Sequence, residues 1–162
     1  YNDEGVSMEA LDDMKVLEEN FGRTYTTHDP YTFGDPEFVL TEGPYTDTAT
    51  VGVVLSSRLK FEASGGAFDG QVDGWYTYGK ITFTSGTNIG WSGEVKIHEV
   101  NADPLIGTSL ELYIPTPFPV ESSDTFDIVA GYDGSFEQCK TKFNNGINFG
   151  GFPHIESVGE QA

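Results

Sequence analysis

The side chains that most often carry out chemistry in proteins are few in this sequence. It contains three histidines, His28, His98 and His154, and one cysteine, Cys139. No Gly-x-Ser-x-Gly elbow and no cysteine–histidine arrangement accompanies them, so a nucleophilic hydrolase is not predicted. Carboxylates are so abundant that no particular pair is indicated for glycoside cleavage. We therefore predict no catalytic residue and expect that the chain is not an enzyme. His98 alternates onto the polar side of a predicted strand, where we expect a solvated ring.

Two further patterns could bind a ligand. Asp69 and Asp73 resemble part of a calcium loop, but the ligand spacing and the terminal glutamate of an EF-hand are missing, which favours a surface turn and no metal. The second pattern is a set of aromatic residues that could stack on sugar rings. In a strand-rich domain such residues belong more often to the core or to a subunit interface. The set comprises Trp75, Tyr76, Tyr78 and Trp91.

The charge of the chain excludes one class of partner. The 162 residues include 26 acidic and 8 basic side chains, which gives a formal net charge of -18 and a pI near 4.1. Such a field repels phosphate backbones and anionic lipids, so no nucleic-acid partner is predicted. Residues 1–50 carry a net charge of -10 and residues 51–162 a net charge of -8. Hydrophobic residues make up 37% of the chain, enough for one globular domain.

Cysteine content and hydropathy exclude two other features. A single cysteine cannot form a disulfide within the chain, and no apolar run reaches the length of a membrane span. The sequence begins at Tyr1 with neither a methionine nor a signal peptide. We expect a processed product or a fragment that follows a missing upstream domain.

The periodicity changes along the chain. An apolar stripe predicts an N-terminal helix in residues 7–22, although residues 6–11 could instead be the last strand of upstream structure. Three prolines in residues 24–48 predict an irregular arm. Six segments then alternate between apolar and polar residues, which predicts a mainly β fold, a small antiparallel barrel or sandwich. These segments are residues 50–55, 59–63, 80–84, 94–98, 110–112 and 125–130.

The C-terminal region returns to helical spacing. Residues 135–144 predict a short helix, and the following glycines and aromatic residues predict a fixed hook rather than a frayed end. The predicted divisions are 1–22 for the helical junction, 23–48 for the arm, 49–131 for the β domain and 132–162 for the last helix and hook. The residues expected to form the hook are Asn144, Asn145, Asn148, Phe149, Phe152 and Pro153.

Several motifs occur in a distinctive order. They are GRTY at 22–25, GD at 34–35, GKITFTSGTNIG at 79–90, EV at 94–95, LYIPTPFPV at 112–120, DTFDIVAG at 124–131, CKTKFNN at 139–145 and NFGGFPH at 148–154. This ordered set resembles the C-terminal half of the tail hub proteins of siphophages and gene transfer agents, relatives of the lambda-type minor tail protein L. The resemblance covers nearly the whole chain.

The resemblance implies a structural role at the distal end of the virion tail. In this family the hub closes the tail tube as a ring, for which a homotrimer is implied. The ring lies under the distal tail protein and docks the central, receptor-binding tip, near the end of the tape measure and a cell-wall peptidase. The alternative hypothesis is a virion-associated domain that binds or cleaves carbohydrate, which a shared open groove at the aromatic residues would favour.

The resemblance also implies a cofactor that this chain is expected to lack. Relatives commonly hold an iron–sulfur cluster with four cysteines, and three of the four matching positions are not cysteine here. The matching positions are Asp29, Phe38, Tyr132 and Cys139, which we expect to converge as the relic of the cluster site with no metal bound. An alternative that stays open is one metal ion held by His28, Asp29, Tyr132 and Cys139.

Overall fold

The computed structural model describes residues 26–33, 35–101 and 107–154. The helix predicted in residues 7–22 lies outside the described residues. No helix in the described part of the chain is long and apolar enough to cross a membrane.

Six antiparallel strands form a closed barrel, which confirms the predicted mainly β fold. The order around the barrel is β1-β2-β5-β4-β3-β6, with β6 pairing back onto β1. All six predicted strand segments are present. Their bounds are β1 (Thr46–Ser56), β2 (Lys60–Ser64), β3 (Lys80–Phe83), β4 (Ser92–Glu99), β5 (Thr108–Leu112) and β6 (Thr125–Val129).

Aromatic rings fill the barrel interior. Phe61 from β2 lies 6.1 Å from Phe83 of β3 and 5.8 Å from Phe126 of β6, measured between ring centroids. All three side chains are buried, because alternation along each strand points every second residue inward. Burial of one such ring contributes about 1.5–3 kcal/mol, so this cluster is a large part of the core.

The antiparallel order sorts the connections between strands onto two ends of the barrel. The β1–β2, β3–β4 and β5–β6 connections lie at one end, which we call the hairpin end and define as residues 53–59, 84–93 and 112–123. The opposite end, the arm end, holds the described residues of the arm (26–33 and 35–45), the β2–β3 connection (65–79) and residues 130–154 after β6. The strands therefore separate two surfaces, the hairpin end and the arm end.

A short helix, α1 (Phe136–Thr141), covers the arm end. Ser135 caps it by accepting a hydrogen bond from the backbone N–H of Gln138. The chain reaches this helix through Gly131, where an added Cβ would lie 1.7 Å from the carbonyl oxygen of Thr77. Only glycine fits at this crossing, so the segment after β6 passes very close to the barrel wall.

Candidate functional site

The structure brings together the four positions that the resemblance marks as a former cluster site. The Tyr132 hydroxyl donates a hydrogen bond of 2.8 Å to the Asp29 carboxylate, and the Cys139 thiol lies within hydrogen-bonding reach of the same hydroxyl. The rings of Phe38 and Tyr132 pack with their centroids 5.0 Å apart. The arm, the segment after β6 and α1 therefore meet at one point, which we call the junction.

Asp29 is the most connected residue of the junction. Its backbone N–H donates to the carbonyl of Gly134 at 2.8 Å. Its second carboxylate oxygen accepts from the backbone N–H groups of Tyr31 and Gly150, each at 3.2 Å. The Asp29 carboxylate therefore has a phenol and two backbone amides as donors. His28, which the single-metal alternative included as a ligand, has its Nδ1 3.2 Å from the Thr27 hydroxyl.

Aromatic packing surrounds these hydrogen bonds. Phe143, which follows α1, makes edge contacts with three rings from the arm and the Tyr132 segment at centroid distances of 4.8 to 5.7 Å. Phe38 is fully buried in the same cluster. Burying a ring in this way contributes about 1.5–3 kcal/mol, so this packing fixes the arm on the barrel. The cluster consists of Phe33, Phe38, Tyr45, Tyr132 and Phe143.

The donor set of the junction does not fit an iron–sulfur cluster. The phenyl ring of Phe38 has no donor atom, and Cys139 supplies the single thiol. Burial raises the pKa of Tyr132 and of Cys139, so both groups keep their protons at neutral pH rather than offering an anionic ligand. Among the described residues, no group of three or more histidine, cysteine, aspartate or glutamate side chains is placed to hold a metal ion.

Lys142, just after α1, is a junction residue that sequence analysis missed. Its ammonium donates hydrogen bonds to the carbonyls of Trp75 and Gly131, the latter at 2.6 Å, and lies 4.7 Å from the centre of the Trp75 ring. Burial lowers the pKa of Lys142 to about 8. In the sequence it has the ordinary position of a solvated cation at a helix C-terminus, and no motif distinguishes it.

The described part of the predicted hook is held by its backbone and by asparagine side chains. Asn145 donates to the carbonyl of Phe38 at 2.6 Å, and the N–H of Phe152 donates to the carbonyl of Thr26 at 2.8 Å. Phe149 packs against Phe136 of α1 with centroids 5.2 Å apart. The Phe152 side chain is 41% exposed, and the backbone hydrogen bond to Thr26 ties this residue to the arm.

His98 corrects the prediction of a solvated ring, because its side chain is only 2% exposed. The pairing of β4 with β5 shifts between Val95 and Ile97, so a bulge reverses the alternation and turns His98 inward while Ile97 faces out. The imidazole packs edge-on against Phe68 and Tyr76, at 5.7 and 4.9 Å. Neither ring nitrogen has a hydrogen-bond partner among the described residues, and burial lowers the pKa of His98 to about 4.

The two aspartates of the calcium-like pattern accept hydrogen bonds from backbone N–H groups. Asp69 accepts a hydrogen bond from the N–H of Gly65 at 3.0 Å. Asp73 accepts one from the N–H of Val100 at 2.9 Å. The Asp69 carboxylate thus completes its own turn, whereas the Asp73 carboxylate joins the β2–β3 connection to the residue that follows β4.

The four candidate sugar-stacking residues do not share a face. Tyr76 is fully buried, stacks on Phe68 with centroids 5.1 Å apart and donates a hydrogen bond to Asp47. Trp75 lies under Lys142, whereas Trp91 packs on Phe83 at 6.2 Å. Tyr78 is exposed and lies beside Tyr113, with centroids 6.4 Å apart. These aromatic residues belong mainly to the core and its margins.

The first prediction concerns Asp29. Replacing it by alanine leaves the Tyr132 hydroxyl and two backbone amides without their acceptor, so we expect a loss of about 1–3 kcal/mol of unfolding free energy. Hydrogen exchange at Gly150 and Phe152 should accelerate. The matched control is Glu37→Ala, which removes an exposed carboxylate from the same arm. Equal stability and equal exchange in the two variants would contradict the role assigned to Asp29.

The second prediction concerns the pH dependence of stability. The pKa of His98 is about 4 in the folded chain against an ordinary 6.5, so the unfolded chain binds a proton that the folded chain refuses. The stability due to the neutral ring is complete above pH 6.5 and is lost as the pH falls towards 4, by about 3 kcal/mol at most. The nearby charges oppose each other, since Asp73 raises this pKa and Lys142 lowers it.

His98→Phe tests this linkage, because phenylalanine keeps the ring packing and removes the titration. Denaturant titrations give the free energy of unfolding of both proteins from pH 7.5 to 4. As the pH falls from 6.5 to 4, the stability of the variant should rise relative to that of the wild type. Parallel curves would mean that His98 does not titrate in this range. The comparison also cancels the effect of the many carboxylates, which both proteins share.

Comparison with known proteins adds two matches. A family described as phage conserved hypothetical protein BR0599 matches residues 74–158, more than half of the chain. No curated protein matches. A chain in the solved structure described as "Virion of native gene transfer agent (GTA) particle" is 29% identical with a TM-score of 0.71. That match covers 88% of this chain and 48% of the other, so this chain spans about half the length of its structural relative. Because the family model matches more than half of the chain, the chain belongs to the phage conserved hypothetical protein BR0599 family.

Proposed function

We propose that this chain is a structural protein of a phage-like virion, and specifically part of the tail hub that closes the distal end of the tail tube. In this proposal three copies form a ring under the distal tail protein. The ring docks the central receptor-binding tip and lies near the end of the tape measure and the cell-wall peptidase. The part described here supplies a rigid barrel with a fixed arm.

One observation carries the proposal. The matched chain belongs to a gene transfer agent virion, and the similarity extends over 88% of this chain at 29% identity. Membership of a phage family agrees with a virion component. The finer assignment to the hub rests on the ordered motifs, which extend from Gly22 to His154 in the sequence.

The junction supports a structural role. Its hydrogen bonds and ring contacts hold the arm on the barrel, which gives a surface of fixed shape for neighbouring proteins. Exposed apolar side chains remain on the arm and after α1, where Val39 is 63% and Ile147 is 93% exposed. Such groups suit contact with another subunit. In this proposal the protein has no catalytic activity and needs no cofactor.

The alternative function, a virion-associated domain that binds or cleaves carbohydrate, receives less support. Its hypothesis depended on Trp75, Tyr76 and Trp91 sharing an open groove, and Tyr76 is fully buried instead. Trp75 and Trp91 are partly buried and pack against the core. A glycan array with the purified chain tests this alternative directly.

Location in the particle tests the proposed function. Gold-labelled antibody against this chain should mark the distal tip of the tail in purified particles, and the chain should remain with tail tube and tip proteins when heads are removed. Labelling of the head or the neck, or recovery of particles that lack the chain, would contradict the proposal.

The third prediction concerns self-association. A chain with a net charge of -18 repels its own copies, and salt screens this repulsion over about 10 Å at 0.1 M. Raising the salt concentration should therefore shift the purified chain from monomer towards trimer, as measured by sedimentation velocity. Dissociation at high salt would show that ion pairs hold the subunits together, and a monomer under all conditions would count against the ring.

A further inference from the structure

The hairpin end differs in charge from the rest of the molecule. Its 29 residues contain one acid, Glu121, and one base, Arg58, whereas the whole chain contains 26 acids and 8 bases. Three acids directly border these ranges. Glu94 lies opposite Lys80 in the pairing of β3 with β4, and Glu111 forms an ion pair with Lys96 at 2.6 Å. Asp124 is buried and accepts a hydrogen bond from the backbone N–H of Glu121. In a strongly acidic chain, this end is a neutral surface.

Large apolar side chains are exposed on this neutral surface. Ile89 in the β3–β4 connection and Ile114 in the β5–β6 connection are each 67% exposed. Phe118 is 57% exposed, and Val53 and Leu55 at the end of β1 are exposed to a similar extent. All three connections contribute, so the apolar groups come from separate parts of the sequence that the barrel gathers at one end.

The backbone under these side chains is held in place. Thr116 and Arg58 exchange hydrogen bonds between the β5–β6 and β1–β2 connections, and Val120 donates to the carbonyl of Ser57 at 2.7 Å. The Asn88 side chain binds the third connection, since it donates to the carbonyl of Phe118 and accepts from its N–H, each at 3.0 Å. A surface ordered in advance loses little conformational entropy on binding.

Two of the three candidate occupants of this surface belong to this chain itself. The first, the chain outside the described residues at 1–25, carries seven acids and two bases and joins the barrel at Thr26, which lies at the opposite end. The second is another copy of this chain. Its arm end exposes Val39 and Ile147 but is acidic, so the face of matching low charge is the same hairpin end. That contact makes a closed pair about a twofold axis and cannot build a ring.

We propose that the hairpin end is the docking surface for a different protein of the same particle, one that presents an apolar surface of low charge. The inference rests on the proposed function, because it assigns one face of the hub to a neighbour along the tail. Ile114 and Phe118 are the central anchors. The contact is insensitive to salt, unlike the association between copies, because both surfaces are nearly uncharged.

Site-specific photocross-linking in assembled particles tests the proposal. A benzophenone amino acid replaces Phe118, and the matched control places it at Val72, which is 66% exposed at the arm end. Position 118 should cross-link to another particle protein, identified by mass spectrometry, and position 72 should not cross-link to that protein. A cross-link from position 118 to a second copy of this chain, or none at all, would overturn the proposal.

A second variant measures the strength of the contact. The double substitution Ile114→Ser and Phe118→Ser should lower incorporation into particles by about tenfold or more, since loss of an anchor worth 1.4 kcal/mol changes affinity tenfold. Both side chains are exposed, so thermal stability and the oligomeric state of the purified chain should stay unchanged. Incorporation equal to that of Val72→Ser would contradict the proposal.

Failure of this inference can be told apart from failure of the proposed function. If the wild-type chain is found at the tail tip but position 118 forms no cross-link, only the proposed docking surface is overturned. Wild-type chain absent from the tail overturns both.

Discussion

The hydrogen bond from the Tyr132 hydroxyl to the Asp29 carboxylate is the contact on which the arm end depends. It joins a residue of the arm to a residue that follows β6, 103 positions later in the sequence. The remaining carboxylate oxygen reaches the hook through the N–H of Gly150, so one side chain connects three segments that lack regular structure of their own. A buried group with several partners fixes geometry strongly, because losing it leaves each partner unsatisfied.

The barrel separates two surfaces with different physical character. At the arm end, the partly buried ammonium of Lys142 binds two carbonyls and covers Trp75. The hairpin end is nearly uncharged, and its backbone connections bind one another directly. A protein built in this way can make contacts that respond to salt at one surface and contacts that do not at the other. This division agrees with a component that links different neighbours in an assembly.

The sequence predicted the six strands of a mainly β fold, with barrel and sandwich both open, because alternation of apolar residues is a local property of each strand. It failed at His98, where a bulge in β4 reverses the alternation, and a bulge depends on pairing with β5 rather than on local sequence. Convergence at the junction could be anticipated only through the family's cysteine positions. Nothing local indicates that Asp29 meets Tyr132, and nothing distinguishes Lys142 from an ordinary helix-end lysine. These contacts depend on tertiary packing, which hydrophobic periodicity does not encode.

We propose that protein side chains alone hold the junction, where relatives are expected to use a metal cluster. The most direct measurement is the metal content of the protein, purified without oxygen and analysed by mass spectrometry for iron and zinc together with protein concentration. We expect metal far below one atom per chain, because Cys139 is the single thiol of the four positions and Phe38 has no donor atom. Stoichiometric iron or zinc would contradict it.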